Sequence, residues 1–239
     1  MKKIIVFGLV VLAGLTANAQ KFVVNDANAV ARQVNEFSGV HVSSAIDLYI
    51  SQGNEIGVAV SSTDTKVRDR IMTEVKDGVL NIWFDGKGWN DWKGNKHMKA
   101  YVSVKTLEMI KADGACDVKF MGKVKAERLS IDLSGASDLS GELECNNLDM
   151  DVSGASDTKL SGNVGNVSVK LSGASSIKGW GLVAENCDID ASGASSINVI
   201  VNKEMKVKAN GASDVNYKGN GVIREMKSSG ASSINRKDG

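Results

Sequence analysis

The side chains in this chain that come nearest to chemistry by type and spacing are the outward aspartates Asp132, Asp149, Asp151, Asp188 and Asp190. Two carboxylates facing each other across a groove could divide the acid and base roles of glycoside cleavage. Their neighbours argue against that role. Aligned on the repeat described below, one column reads Asp132, Asp151, Lys170, Asp190, Lys208, Lys227, and the next reads Asp149, Ser168, Asp188, Lys206, Glu225. Acids give way to bases within one or two steps, the pattern of a solvated face with local charge compensation, where an exposed pair is worth ~0–1 kcal/mol. Asp138, Asp157 and Asp214 follow glycine turns and could offer oxygens to calcium, but the equivalent positions Ser176, Ser196 and Ser233 halve the ligand charge. The calcium-binding solenoid repeat is in any case a nonapeptide with paired glycines. His41 and His97 have no Cys or His partner at ligand spacing. The recurrent serines lack both a Gly-x-Ser-x-Gly elbow and a histidine within the repeat region. The expectation is therefore no catalytic residue, no metal site and no cofactor, with a polysaccharide lyase or hydrolase and a purely structural envelope protein as the competing readings.

Binding chemistry has one stronger candidate. The stretch "WFDGKGWNDWKGNKH", Trp83 to His97, carries three of the four tryptophans, two of them set among Gly, Asn, Asp and Lys. Amphipathic tryptophan serves cores and interfaces alike. Trp89 and Trp92 either fold back as a plug on the end of the scaffold or, with Asn90, Asp91 and Lys93, form a contact patch for a surface glycan or protein.

The elements that position these residues are written in a repeat. The string Ser-Gly-Ala-Ser and its variants place glycines at Gly114, Gly135, Gly154, Gly173, Gly193, Gly211 and Gly230, a spacing close to nineteen residues. Such a period marks stacked units that bury a common core only together. Six, four and two places before a glycine stand Leu129/Ile131/Leu133, Leu148/Met150/Val152, Val167/Val169/Leu171, Cys187/Ile189/Ala191 and Met205/Val207/Ala209, with polar residues between them. Alternation of period two is a half-buried strand. Four places after the glycine come Val118, Leu139, Thr158, Ile177, Ile197, Val215 and Ile234. The unit reads as strand, sharp glycine corner, second strand and return, and the chain as a single-stranded parallel β-helix with coils of about nineteen residues.

Residues 37–106 are expected to be irregular strands that cap the helix, and 107–239 its regular coils. Within the first part the chain alternates from Phe37 to Val60, Thr65 to Arg70 reads as a helical turn, and Asp77-Gly78 reads as a hairpin turn between Ile71–Val75 and Val79–Phe84. Ahead of these lie a lead-in, 20–36, and a segment 1–19 in which Lys2 and Lys3 precede an apolar run and Ala17-Asn18-Ala19, the form of a cleaved secretory signal. The run is too short to serve as a transmembrane anchor. Export to the periplasm, the cell surface or the medium follows. Without the signal there are 27 Lys and Arg, from 29 less Lys2 and Lys3, against 28 Asp and Glu, a balance that gives no support to nucleic-acid binding. Cys116, Cys145 and Cys187 are an odd set for an oxidising compartment and are expected as free thiols.

"EFSGVHVSSAIDLYISQGN", "TEVKDGVLNIWF" and the Ser-Gly-Ala-Ser series with Ser-Ile-Asn at Ser196–Asn198 and Ser233–Asn235 are similar to the auto-transporter adhesin head domain family, the head GIN domain. The resemblance covers nearly all of the chain after the signal. It implies a right-handed, pectin-lyase-like β-helix without that fold's catalytic residues, a role in cell adhesion, and a homo-oligomer by likeness to trimeric adhesin heads. No heptad stalk or membrane barrel follows the head in this chain, so self-transport is not expected of it.

Overall fold

The computed structural model describes residues 24–88 and 97–237. The signal-like segment 1–19 and the tryptophan-bearing residues 89–96 lie outside these described residues. The strands are β1 (Val30–Arg32), β2 (Gly39–Val42), β3 (Ile46–Gln52), β4 (Gly57–Ser62), β5 (Ile71–Lys76), β6 (Val79–Phe84), β7 (Met98–Val104), β8 (Met109–Ala112), β9 (Asp117–Leu133), β10 (Asp138–Val152), β11 (Asp157–Leu171), β12 (Ser176–Ala191), β13 (Ser196–Ala209), β14 (Asp214–Lys218), β15 (Val222–Ser228) and β16 (Ser233–Arg236). A short helix, α1 (Thr65–Arg68), has Asp64 as its N-cap, the carboxylate accepting from Lys66 N. The whole is a parallel β-solenoid of about seven turns.

Strands β9 to β13 stack in chain order, each parallel to the next. The register pairs Leu148 with Leu129 and Val167, Val167 with Cys187, and Cys187 with Met205, so residues nineteen or so apart form the expected columns. All fifteen inward residues read from the alternation before the glycines are buried, none more than 4% exposed. One feature differs from the expected unit. The return is not a separate segment, because each of these strands runs on for 14–17 residues from one glycine corner to the next. The strand bends instead. At Asn146-Asn147 two consecutive side chains point away from the core between buried Cys145 and Leu148, and the in-out parity slips by one residue. Gly162 marks a second bend at φ +117, where a Cβ would collide with the Leu143 carbonyl of the coil below.

The amino-terminal part is more regular, and less sequential, than expected. β2 lies parallel between β6 and β8, and β3 lies parallel between β7 and β9. The segment β2–β3 is therefore a coil slipped into the stack between strands that follow it in the chain. Its corner is Ser43-Ser44-Ala45, in which Ser44 and Ala45 hold positive φ without glycine. Beyond this layer the parallel order stops. β4 adds antiparallel to β7 and β1 antiparallel to β4, and β5 adds antiparallel to β6 through a hairpin at Asp77-Gly78, both residues with positive φ. Antiparallel strands of this kind cover the end of a parallel stack that would otherwise offer free edges.

Candidate functional site

The corner is the most repeated piece of surface. All seven glycines from Gly114 to Gly230 have φ between +72 and +94, and the amide after each from Gly135 onward donates to the carbonyl of the preceding corner's glycine, as Ala155 N does to Gly135 O at 2.7 Å. The serine two places after the glycine points inward and is buried at Ser137, Ser156, Ser175, Ser195 and Ser213. At three of these corners the hydroxyl donates to the carbonyl three residues earlier, Ser137 to Ser134 O at 3.0 Å, Ser175 to Ser172 O at 2.9 Å and Ser213 to Asn210 O at 2.9 Å. Cys116 fills the same place in the first corner of the series, its Sγ 3.3 Å from Asp113 O. Ser137, Ser175 and Ser213 are thus structural pins spent on their own backbone, and Ser156 Oγ accepts from Ser137 N at 3.2 Å. Two inward hydroxyls, those of Thr158 and Ser195, have no partner.

The outward acids occupy the columns expected of them. Asp132 pairs in register with Asp151, Asp151 with Lys170, Lys170 with Asp190 and Asp190 with Lys208, while Asp149, Ser168, Asp188 and Lys206 run beside them. Few ion pairs close within those two columns: Asp132 meets Lys111 at 3.3 Å, Arg128 reaches Asp149 at 4.0 Å, and Glu225 holds Lys227 at 2.6 Å. Other close pairs are Lys123 with Glu142 and Lys203 with Glu185, both 2.9 Å, and Arg224 with Glu204 at 2.7 Å. Of the aspartates after the corners, Asp138 Oδ1 accepts from Asp157 N, Asp157 pairs with Lys178 at 2.8 Å, and Asp214 accepts from Ser233 Oγ. Among the described residues no group of three His, Cys, Asp or Glu side chains is arranged to hold a metal ion.

An asparagine ladder that sequence reasoning missed runs along the bend. Asn166 Nδ2 donates to Asn147 Oδ1 at 3.1 Å and Asn186 Nδ2 donates to Asn166 Oδ1 at 2.9 Å, beside a depression of about 320 Å³. Its signal was the spacing of 19 and 20 residues between the three asparagines. His41 is set between Asn81 Oδ1 and Asp113 Oδ2, at 3.2 and 2.5 Å, which ties β2 to β6 and to the corner after β8. All three cysteines are free and buried. Burial pushes the Cys187 thiol up to about 12 and the Cys145 thiol to about 11, and raises that of Cys116, which disfavours the thiolate at each. Trp89, Asn90, Asp91, Trp92 and Lys93 lie outside the described residues. The strands they join, β6 and β7, belong to the amino-terminal layer of the parallel stack.

The chain is a parallel solenoid with a packed core, glycine corners and charged columns facing outward. The chain belongs to the family described as "Putative auto-transporter adhesin, head GIN domain", which matches residues 36–221. Solved structures share the fold. A "putative adhesin" from Bacteroides fragilis NCTC 9343 is 21% identical with a TM-score of 0.79, over 89% of this chain and 98% of that one. A "putative adhesin" from Parabacteroides merdae ATCC 43184 is 16% identical at TM-score 0.69, and a "putative lipid binding protein" from Parabacteroides distasonis ATCC 8503 is 19% identical at 0.67, each with the same coverage. No curated protein matches the chain.

Proposed function

We propose that this chain is an exported binding module of adhesin type that holds a surface glycan or protein without turning it over. The observation that carries this reading is the compensated outer surface. Glu142, Glu185 and Glu204 each meet a cation of the neighbouring coil, so these carboxylates tie coils together instead of opposing one another across a groove. Membership of a family described as adhesin heads agrees with it. Among the described residues no helix is long and apolar enough to cross a membrane. Export through the segment Met1–Ala19 and assembly into a homo-oligomer, a trimer by likeness to adhesin heads, belong to the same proposal.

The contact patch proposed from sequence is Trp89 and Trp92 with Asn90, Asp91 and Lys93. Aromatic anchors of this kind often cost ~2 kcal/mol or more of binding when truncated. Replacing both tryptophans by alanine is expected to weaken adherence to cells or immobilised glycans by more than tenfold with an unchanged melting temperature. A large fall in melting temperature identifies them as a plug instead, and unchanged adherence with unchanged stability removes the patch.

A further inference from the structure

The face that follows the glycine corners holds a cleft with a different character from the compensated columns. Along it, Tyr101, Tyr49, Lys119, Ser140 and Lys159 form one column, in strands β7, β3, β9, β10 and β11, with Lys178 of β12 at its end. Two residues earlier in each of β9, β10 and β11 runs the neighbouring column Asp117, Asp138 and Asp157. A depression of about 360 Å³ opens between Tyr49 and Lys178. Its cause is Ser140, a short side chain standing between two long lysines, with Tyr49 as the wall at the amino-terminal side. One face of the Tyr49 ring is covered by Tyr101, with centroids 5.2 Å apart and planes 20° from parallel. The other is turned along the column toward Lys119 and the cleft.

The polar groups here are unusually free. On neighbouring faces Lys111, Lys123, Lys125 and Lys203 each meet a carboxylate of the adjacent coil. Lys119, Lys159 and Asp117 have no ion-pair or hydrogen-bonding side-chain partner among the described residues, although unlike charges stand in adjacent columns. Asp138 spends one carboxylate oxygen on the Asp157 amide. The cleft therefore offers two ammonium groups roughly 10 Å apart, at two strand spacings, and the hydroxyl of Ser140 between them. Facing these are the carboxylates of Asp117 and Asp138.

We infer that this cleft binds a neutral, hydroxyl-rich oligosaccharide lying along the solenoid axis, an inference that rests on the binding-module reading above. A pyranose presents a C–H face that stacks on an aromatic ring, and hydroxyls that each donate and accept. Tyr49 supplies the plane, Lys119, Ser140 and Lys159 supply donors, and Asp117 and Asp138 supply acceptors, charge-assisted on both sides. The lining sets Lys119, Lys159 and Lys178 against Asp117, Asp138 and Asp157, which leaves no net charge to select an ion. A concave site with an aromatic wall and convergent polar groups is the usual form of a small-ligand site.

The test is a glycan array of neutral, sialylated, sulfated and uronic-acid oligosaccharides, probed with the wild-type protein and with Ser140→Trp, Tyr49→Ala and, as a control on another face, Asp188→Asn. The expected result is retention of a neutral oligosaccharide, weakened at least tenfold by Ser140→Trp, which fills the cleft from an outward position, and by Tyr49→Ala, with Asp188→Asn unchanged. Should Tyr49→Ala lose its fold with the loss of the stack on Tyr101, Ser140→Trp at an unchanged melting temperature decides. Equal binding by wild type and Ser140→Trp overturns the cleft while leaving the binding-module reading standing. Retention of acidic glycans alone overturns the ligand class. If no saccharide is retained the cleft is also overturned, and adherence of the same protein to intact cells judges the module independently.

Discussion

Gly154 shows how little room the corner allows. Its φ is +76, and a Cβ there would lie far inside contact distance of the Gly135 carbonyl in the coil below. Any side chain must therefore both adopt a left-handed backbone and push two coils apart. Gly154→Val is expected to cost about 3 kcal/mol or more, seen as a large drop in melting temperature. Asp151→Asn, on a solvated column of the same coil, should leave the melt unchanged. An unchanged melt for the valine variant contradicts the corner. Thr158 presents the opposite case. It is fully buried in a column that otherwise holds Val118, Leu139, Ile177 and Ile197, and its hydroxyl has no partner. An unpaired buried hydroxyl costs about 1–3 kcal/mol, so Thr158→Val is expected to raise the melting temperature, and a lowered value would mean the hydroxyl has a role in the coil.

Within a coil, the half nearest the corner was legible and the other half was not. Leu148, Met150 and Val152 alternate cleanly with Asp149 and Asp151, and strand and register follow from that alternation alone. At Asn146-Asn147 the parity slips, so the period-two signal breaks and the preceding residues looked like a return. The asparagine ladder sits in that slip and was hidden with it. The coil β2–β3 was missed for another reason. Val40 and Val42 before Ser43-Ser44-Ala45, and Ile46, Leu48 and Ile50 after it, carry the same alternation as the later coils. The corner lacks the glycine, however, and the layer's partners β6, β7, β8 and β9 all come later in the chain. Local pattern specifies a strand and does not specify its neighbours. Cys187 connects coil packing to pH. Its thiol, pushed up to about 12 by burial, compares with 9.0 when unburied, so the folded state holds its proton more tightly than the unfolded state does. Stability from this source is complete below pH 9 and is lost as the pH rises from about 9 toward 12. The melting temperature should fall over that window, and Cys187→Val should flatten the fall. An identical pH profile in the variant would show that other groups dominate. Native protein should also resist alkylation at all three cysteines until denaturant is added.

For the molecule as a whole, the solenoid is a column whose inside is apolar, whose amino-terminal end is covered by antiparallel strands and whose outside carries charges of both signs. Each coil contributes side chains at fixed strand spacing along parallel lines, so the outer surface is built of straight columns. The columns of Asp132, Asp151 and Asp190, and of Asp149 and Asp188, could be placed from sequence because the nineteen-residue period sets which side chains become neighbours. Which surface meets a partner could not, because binding depends on how free side chains are, and freedom at Lys119, Ser140 and Asp117 becomes visible only when their neighbours' pairings are known.

The most direct measurement incubates purified protein with soluble neutral and uronate polysaccharides, with and without calcium, and follows bound polymer and released product in the same samples. A binding module is expected to retain polymer and to release neither new reducing ends nor unsaturated uronates. Product release that a single change at Asp188 or Asp190 to asparagine abolishes would contradict the account.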